Sequence, residues 1–157
     1  MTSGASIIEP TRWLLCGANG HLCALPLDHV VEIMRPPPID ALDGMPHFVL
    51  GLSVIRGLPI PVVDLGSLID QKAVGPRRLV TVTAGGRTIA LAVESVLGVR
   101  TLTSDILVDL PPLLRGAAGD VVSAIGTLDS ELLLVLKLAR IIQDTALNGV
   151  LAEGVDS

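Results

Sequence analysis

Residues 18–34 read A-N-G-H-L-C-A-L-P-L-D-H-V-V-E-I-M, and residues 84–100 read A-G-G-R-T-I-A-L-A-V-E-S-V-L-G-V-R. The second stretch repeats the first at a constant offset of 66: Ala18/Ala84, Gly20/Gly86, Ala24/Ala90, Leu25/Leu91 and Val30/Val96 are identical, and Asp28/Glu94 keep a carboxylate. A second match joins I-P-V-V-D-L-G-S-L-I (Ile60–Ile69) to L-L-V-L-K-L-A-R-I-I (Leu133–Ile142), now at an offset of 73, which implies an insertion in the second half near Gly116–Asp120. Self-similarity on this scale means that one supersecondary unit was built twice.

Each unit begins with a hairpin. Asn19-Gly20 and Gly85-Gly86 are dipeptides of the kind that a two-residue type I′ turn demands, because both of its positions need φ > 0. In the second hairpin Val80, Val82, Ile89 and Leu91 share one face and Thr81, Thr83, Thr88 and Ala90 the other, which predicts an apolar face inward and a hydroxyl face outward. Further strands are predicted at 30–33 and 96–99, at 53–55 and 121–125, and at 60–64 and 132–137. Short helices follow, where Leu65, Leu68 and Ile69, and again Leu138, Ile141 and Ile142, have i, i+3, i+4 spacing. Pro36-Pro37-Pro38 and Pro111-Pro112 must be loops. Five short strands expose two edges as an open sheet and remove them by closing. The fold expected is all-β: two packed five-stranded barrels of the SH3-like kind, with short helices and an internal duplication. The domain is placed at 12–145, with subdomains at about 12–75 and 76–145 and flexible termini at 1–11 and 146–157.

Composition narrows the function. The 157 residues are 50% apolar, yet hold one Trp, one Phe and no Tyr, so the core must be aliphatic and no aromatic platform for bases or sugars is available. Net charge is −5 and the longest basic run is Arg77-Arg78, which argues against nucleic acid and against polybasic membrane attachment. There is no apolar run of spanning length, and M-T-S-G-A-S-I-I-E-P lacks the basic and apolar regions of a signal peptide, so cytoplasmic residence without membrane insertion is expected.

Chemistry is sparse. Counting outward from Asn19-Gly20 places Cys16 opposite Cys23, where they could bond, or bind metal with His21 as a third ligand; two small buried hydrophobes with free thiols are expected instead. The histidines at 21, 29 and 47 have no metal-ligand spacing, and no nucleophile elbow, phosphate loop or dinucleotide fingerprint is present. No catalytic residue, cofactor or metal is assigned, and enzymatic activity is not expected.

One element stands out from the duplicated scaffold. Gly51–Leu65 reads G-L-S-V-I-R-G-L-P-I-P-V-V-D-L, a strand, an Arg-Gly turn and a second strand, with turn chemistry across Gly57–Pro59. Aligning V-I-R-G with A-I-G-T sets Gly126 against Arg56, so the scaffold itself does not require the arginine. Arg56 is then either a solvated strand-end charge paired with Asp64 or a contact made for something outside the domain.

The ordered set A-L-P-L-D-H-V-V-E-I, M-P-H-F-V-L-G-L-S-V-I-R-G-L-P-I-P-V-V-D-L, R-L-V-T-V-T…I-A-L-A-V-E-S-V-L-G-V and A-I-G-T-L-D-S-E-L-L-L-V-L-K-L resembles the CheW-like domain family over about residues 12–143. The resemblance implies two SH3-like barrels and a non-catalytic adaptor that couples methyl-accepting chemoreceptors to a CheA-type histidine kinase. The implied partners are the kinase's regulatory domain, the receptor's cytoplasmic tip and other CheW-like domains, with localisation peripheral to membrane receptor arrays. Carried over by position, Val30, Glu32, Gly51, Arg56 and Gly57 are the partner-binding candidates. Two positions depart from the family's pattern: Val54 stands where Asn is usual and Glu94 where Asp is usual. An adaptor of a non-flagellar chemosensory pathway, for surface motility or second-messenger control, fits the same residues. A β-barrel enzyme or a metal-binding protein is the remaining alternative.

Overall fold

The computed structural model describes residues 11–109 and 121–147. The Pro111-Pro112 loop, the insertion at Gly116–Asp120 and most of both termini lie outside the described residues. Eleven strands are present among those described: β1 (Thr11–Ala18), β2 (His21–Pro26), β3 (Val30–Met34), β4 (Val49–Ile55), β5 (Leu58–Asp64), β6 (Arg78–Ala84), β7 (Arg87–Val93), β8 (Ser95–Leu102), β9 (Leu107–Asp109), β10 (Val122–Leu128) and β11 (Glu131–Leu136). Helix α1 (Leu65–Asp70) follows β5, and α2 (Leu138–Leu147) follows β11 and runs past residue 145. The repeat is visible throughout: β1–β5 correspond to β6, β7, β8, β10 and β11, and β9 is the addition that makes eleven.

The sheets do not follow the two halves of the chain. One has five strands in the order β3-β6-β7-β5-β4, the other six in the order β8-β1-β2-β11-β10-β9. The hairpins are exchanged: β6–β7 completes the sheet of the first half, and β1–β2 completes that of the second. A division near residue 75 therefore does not separate the subdomains. Parallel pairings carry the exchange, β5 with β7 at Val62↔Ala90 and β11 with β2 at Leu134↔Cys23.

Exchange explains the core. The apolar face of β6–β7 (Val80, Val82, Ile89, Leu91) meets Leu14, Cys16, Cys23 and Leu25 of β1–β2 in a central layer between the sheets, sealed by Leu138, Ile141 and Ile142 of α2. Each sheet also encloses its own smaller core: Ile55, Ile60, Val62, Leu79, Ala90 and Ala92 in one, and Leu15, Leu22, Ala24, Leu102, Leu133 and Val135 in the other. The alternation in β6–β7 thus separates two interiors rather than interior from solvent. Thr81 and Ala90, expected on an outer face, are buried. Thr81 Oγ1 accepts from the Glu32 amide at 3.1 Å and donates to the Glu32 carbonyl at 3.3 Å. Those two bonds satisfy a bulge at Val31, where β3 shifts register against β6.

Local chemistry places the remaining elements as the residues predict. Asn19-Gly20 and Gly85-Gly86 all have positive φ and turn their hairpins in two residues. Pro59 and Pro61 are tolerated inside a sheet because they sit opposite Val54 and Leu52, in the non-hydrogen-bonded pairs counted from the turn, and pairing of β5 with β7 begins only at Val62. Asp64 caps α1, accepting from the Ser67 amide at 2.9 Å and its hydroxyl at 2.8 Å.

Cys16 and Cys23 are paired across β1–β2, free, and without solvent exposure. Burial pushes both thiols up to about 12, and only thiolate is reactive. Neither cysteine should react with a thiol reagent in the folded protein, and two should be counted after unfolding. Leu91→Ala opens a cavity in the central layer and should cost about 2–5 kcal/mol in urea denaturation. Thr81→Ala should cost about 1–3 kcal/mol, because it strands the Glu32 amide. Thr83, half-buried and with its hydroxyl bonded to Thr88 Oγ1 at 2.9 Å, should cost under about 1 kcal/mol on the same change.

Candidate protein-docking site

Ile55 pairs with Leu58, so Arg56 and Gly57 alone form the β4–β5 turn, with φ of 53° and 80°. Pro59 is already in β5, and the turn is narrower than the Gly57–Pro59 chemistry suggests. Gly57 suits such a turn; an arginine with positive φ costs about 1–2 kcal/mol relative to an ordinary conformation. That cost makes sense where the side chain is needed at this spot.

The guanidinium is held by Glu32 of β3. Arg56 Nε donates to Oε2 at 2.6 Å and Nη2 donates to Oε1 at 3.0 Å, a bidentate pair. Its hydrogen bonds hold the Glu32 carboxyl below its ordinary range and raise the arginine further. Asp64, a candidate partner for Arg56 in the sequence, is instead buried as the α1 cap. β3 is one edge of the five-stranded sheet and the turn ends the other edge strand, so the ion pair joins the two margins of a curled sheet. Arg56 is the exposed member: its side chain is 76% accessible against 26% for Glu32. A guanidinium has five N–H donors, and the clamp engages two.

The five carried-over residues do not form one surface. Glu32, Arg56 and Gly57 come together. Val30 neighbours them on β3 but is half-buried against the central core. Gly51 is buried under the chain at 40–41: a Cβ on it would lie 2.1 Å from the Asp40 carbonyl oxygen. Its place is structural, since it lets that segment bridge Asp40 to Leu52. Unmarked in the sequence were the exposed apolar residues nearby, Val31 and Ile33 of β3 and Val54 and Leu58 beside the turn. Their signal was present: Val54 and Leu58 flank a turn, where side chains have little to bury against, and Val31 is the bulged residue.

The true counterpart of Arg56 is Asp129. Leu128 pairs with Glu131, so Asp129 and Ser130 form the equivalent β10–β11 turn, both with positive φ. Gly126 falls earlier, inside β10, where it lies close to the Ile106 carbonyl. Asp129 in turn pairs with Arg100 of β8 at 3.5 Å. Each half therefore closes its sheet with an ion pair between edge strand and turn, and the charges are exchanged between the halves. Leu97, the bulged residue of β8, repeats the exposed Val31.

No group of His, Cys, Asp and Glu among the described residues could hold a metal ion. His21, considered as a ligand beside the cysteines, instead lies 3.2 Å from Asp70.

The sequence profile of the CheW-like domain matches residues 12–146. The chain belongs to that family. Relatives include FrzA of Myxococcus xanthus, 30% identical over 148 residues covering 88% of this chain and 90% of the relative. A probable chemotaxis protein CheW of Rhizobium etli is 24% identical over 119 residues, covering 74% and 77%. The fold is also that of the scaffolding protein TtCheW from Thermoanaerobacter tengcongensis, whose crystal structure superposes with a TM-score of 0.72 at 23% identity, over 82% of this chain and 90% of that one. Membership makes the protein a CheW-like scaffold of chemosensory signalling. No helix among the described residues is long and apolar enough to cross a membrane.

The clamp has a pH signature. Glu32 has a lowered folded pKa, so its contribution is present above the ordinary carboxylate range and is lost as acid takes the pH down through the lowered value. An NMR titration of the Glu32 carboxyl should give a midpoint below those of exposed glutamates, and Arg56→Ala should move it back up. A midpoint unmoved by that substitution would mean that the pair is not formed in solution.

Proposed function

We propose that the protein is a non-catalytic adaptor that couples a methyl-accepting receptor to a CheA-type histidine kinase, and that the Arg56 face is a docking surface for one of them. The observation that carries this reading is the guanidinium itself. It sits at a conformationally costly turn position, is fixed by Glu32, remains largely exposed, and has Val54 and Leu58 beside it. An arginine fixed before binding loses less entropy on association, and apolar neighbours exclude water from its hydrogen bonds. Kinase regulatory domain, receptor tip and other CheW-like domains remain the partner classes, met in the cytoplasm at receptor arrays. Val30 and Gly51 then serve the face from behind, one through the core and one through the 40–41 segment.

A second reading, an adaptor of a non-flagellar chemosensory pathway, is favoured by one finding. Identity to FrzA, at 30%, exceeds that to the Rhizobium etli relative named a chemotaxis protein, at 24%. Deleting the gene and scoring swimming and surface movement separately decides between the pathways.

The adaptor reading is tested by reconstituting the chain with the kinase and receptor fragments of its own genome. Arg56→Ala should leave the melting temperature nearly unchanged, since exposed ion pairs add little to stability. It should weaken assembly by about 1–2 kcal/mol, or more if the site is a hot spot. The exchange Glu32→Arg with Arg56→Glu separates the two roles of the pair. It keeps the clamp and inverts the exposed charge, so assembly should stay weak; full recovery would make the pair a structural closure and move the interface elsewhere.

A further inference from the structure

The Asn19-Gly20 turn does more than reverse the chain. Asn19 Nδ2 donates to Asp70 Oδ1 at 2.8 Å and to the Lys72 carbonyl at 2.6 Å. Both acceptors lie at the end of α1, which follows the five-stranded sheet, whereas the turn belongs to the six-stranded one. The Asn19 amide N–H donates to the Glu94 carboxylate. Gly66 of α1 makes the room: a Cβ on it would lie 2.5 Å from Asn19 Nδ2 and 2.4 Å from the Lys72 carbonyl oxygen. At the corresponding places the second half has Gly85 and Ala139, with neither the amide nor the glycine socket. The first half therefore carries a side-chain latch between the sheets that the second half's residues at these two places cannot repeat.

The residue that forms this latch stands in the dipeptide most open to intramolecular attack. Gly20 is exposed and has no side chain to shield its backbone nitrogen, and the turn borders an open cleft of about 460 Å³ that also includes Gly17, His21, Arg77 and Glu94. We propose that Asn19 is a deamidation site and that its hydrolysis releases the latch. The Gly20 nitrogen attacks Asn19 Cγ, the Cγ–Nδ2 bond breaks, and ammonia leaves with the proton lost from Gly20. Water then opens the cyclic imide to aspartate or isoaspartate. The sum is one water consumed and one ammonia released, with no oxidant or enzyme required. The new carboxylate faces the Asp70 carboxylate and the Lys72 carbonyl, both acceptors, with Glu94 on the backbone side; the nearby donors are His21, already at Asp70, and Arg77 of the cleft. A contact with two donated hydrogen bonds becomes one in which acceptors oppose each other. The conversion is one-way and loosens the joint between the sheets as the protein ages.

The full-length chain, folded and incubated in alkaline buffer, should gain at the peptide containing Asn19 the mass of an amide-to-acid change. Asn19→Asp should melt below Asn19→Gly, which removes the amide without adding charge and tolerates the positive φ. If Asn19→Asp does not fold, adding Asp70→Asn should restore folding by supplying a donor. Conversion in urea but not in the folded chain would overturn the proposal, as would an Asn19→Asp protein as stable as the original or a double variant that is not rescued.

Discussion

The central apolar layer is the constraint on which the rest depends. Neither hairpin is stable alone, since an isolated two-stranded ribbon is marginal in water. Here β1–β2 and β6–β7 each bury one face on the other, with Leu14, Cys16, Cys23 and Leu25 against Val80, Val82, Ile89 and Leu91. Each hairpin's second face covers the small interior of the sheet that it joins. Because those sheets are completed by strands from opposite halves of the chain, neither half can close without the other. The unit of stability is the whole domain, and the interface between subdomains is its largest core rather than a seam.

Closing the sheets falls to weaker forces. In each, an ion pair joins an edge strand to a hairpin turn, Glu32 with Arg56 and Arg100 with Asp129. Exposed pairs of this kind add little stability. They fix where a charge stands, and a scaffold needs this when it presents a surface. The two pairs are unequal: one is bidentate with a half-buried carboxylate, the other a single contact at 3.5 Å between exposed groups. The Glu32–Arg56 face is thus the more rigid of two surfaces derived from one ancestral unit.

Much of the fold was legible in the residues because its signals are local. Turn dipeptides, strand alternation and the helix spacing after β5 and β11 all act over a few residues, and the repeat shows each of them twice. The exchange of hairpins was not legible. A repeat says that two units are alike, not which copy of a hairpin pairs with which set of strands. The outward face assigned to Thr81 failed for the same reason: alternation marks two faces, and whether the second meets water or another interior depends on strands far away in sequence. At the site, Arg56 and Glu32 could be named singly, but their pairing joins residues 24 apart across the closure of a sheet. Gly51, a docking candidate by position, lies beneath Asp40, a placement that depends on the 40–41 segment folding back and that no local signal marks.

The position of Arg56 was misaligned with Gly126, and the reason bears on function. A repeat compared by similarity alone favours V-I-R-G against A-I-G-T, whereas the turns align Arg56 with Asp129. The scaffold therefore does ask for something at this turn, namely a charge able to reach the edge strand; it does not dictate the sign. Sign is free because either order of charges makes the same contact between turn and edge strand, and each half has its own. A property that the fold leaves free is open to selection by a partner. The choice of arginine at one turn and aspartate at the other gives the two ends of the domain different electrostatic faces on nearly identical backbones. Electrostatic complementarity suppresses wrong partners more than it adds affinity, so a duplicated domain with exchanged charges has two ends that a partner can tell apart.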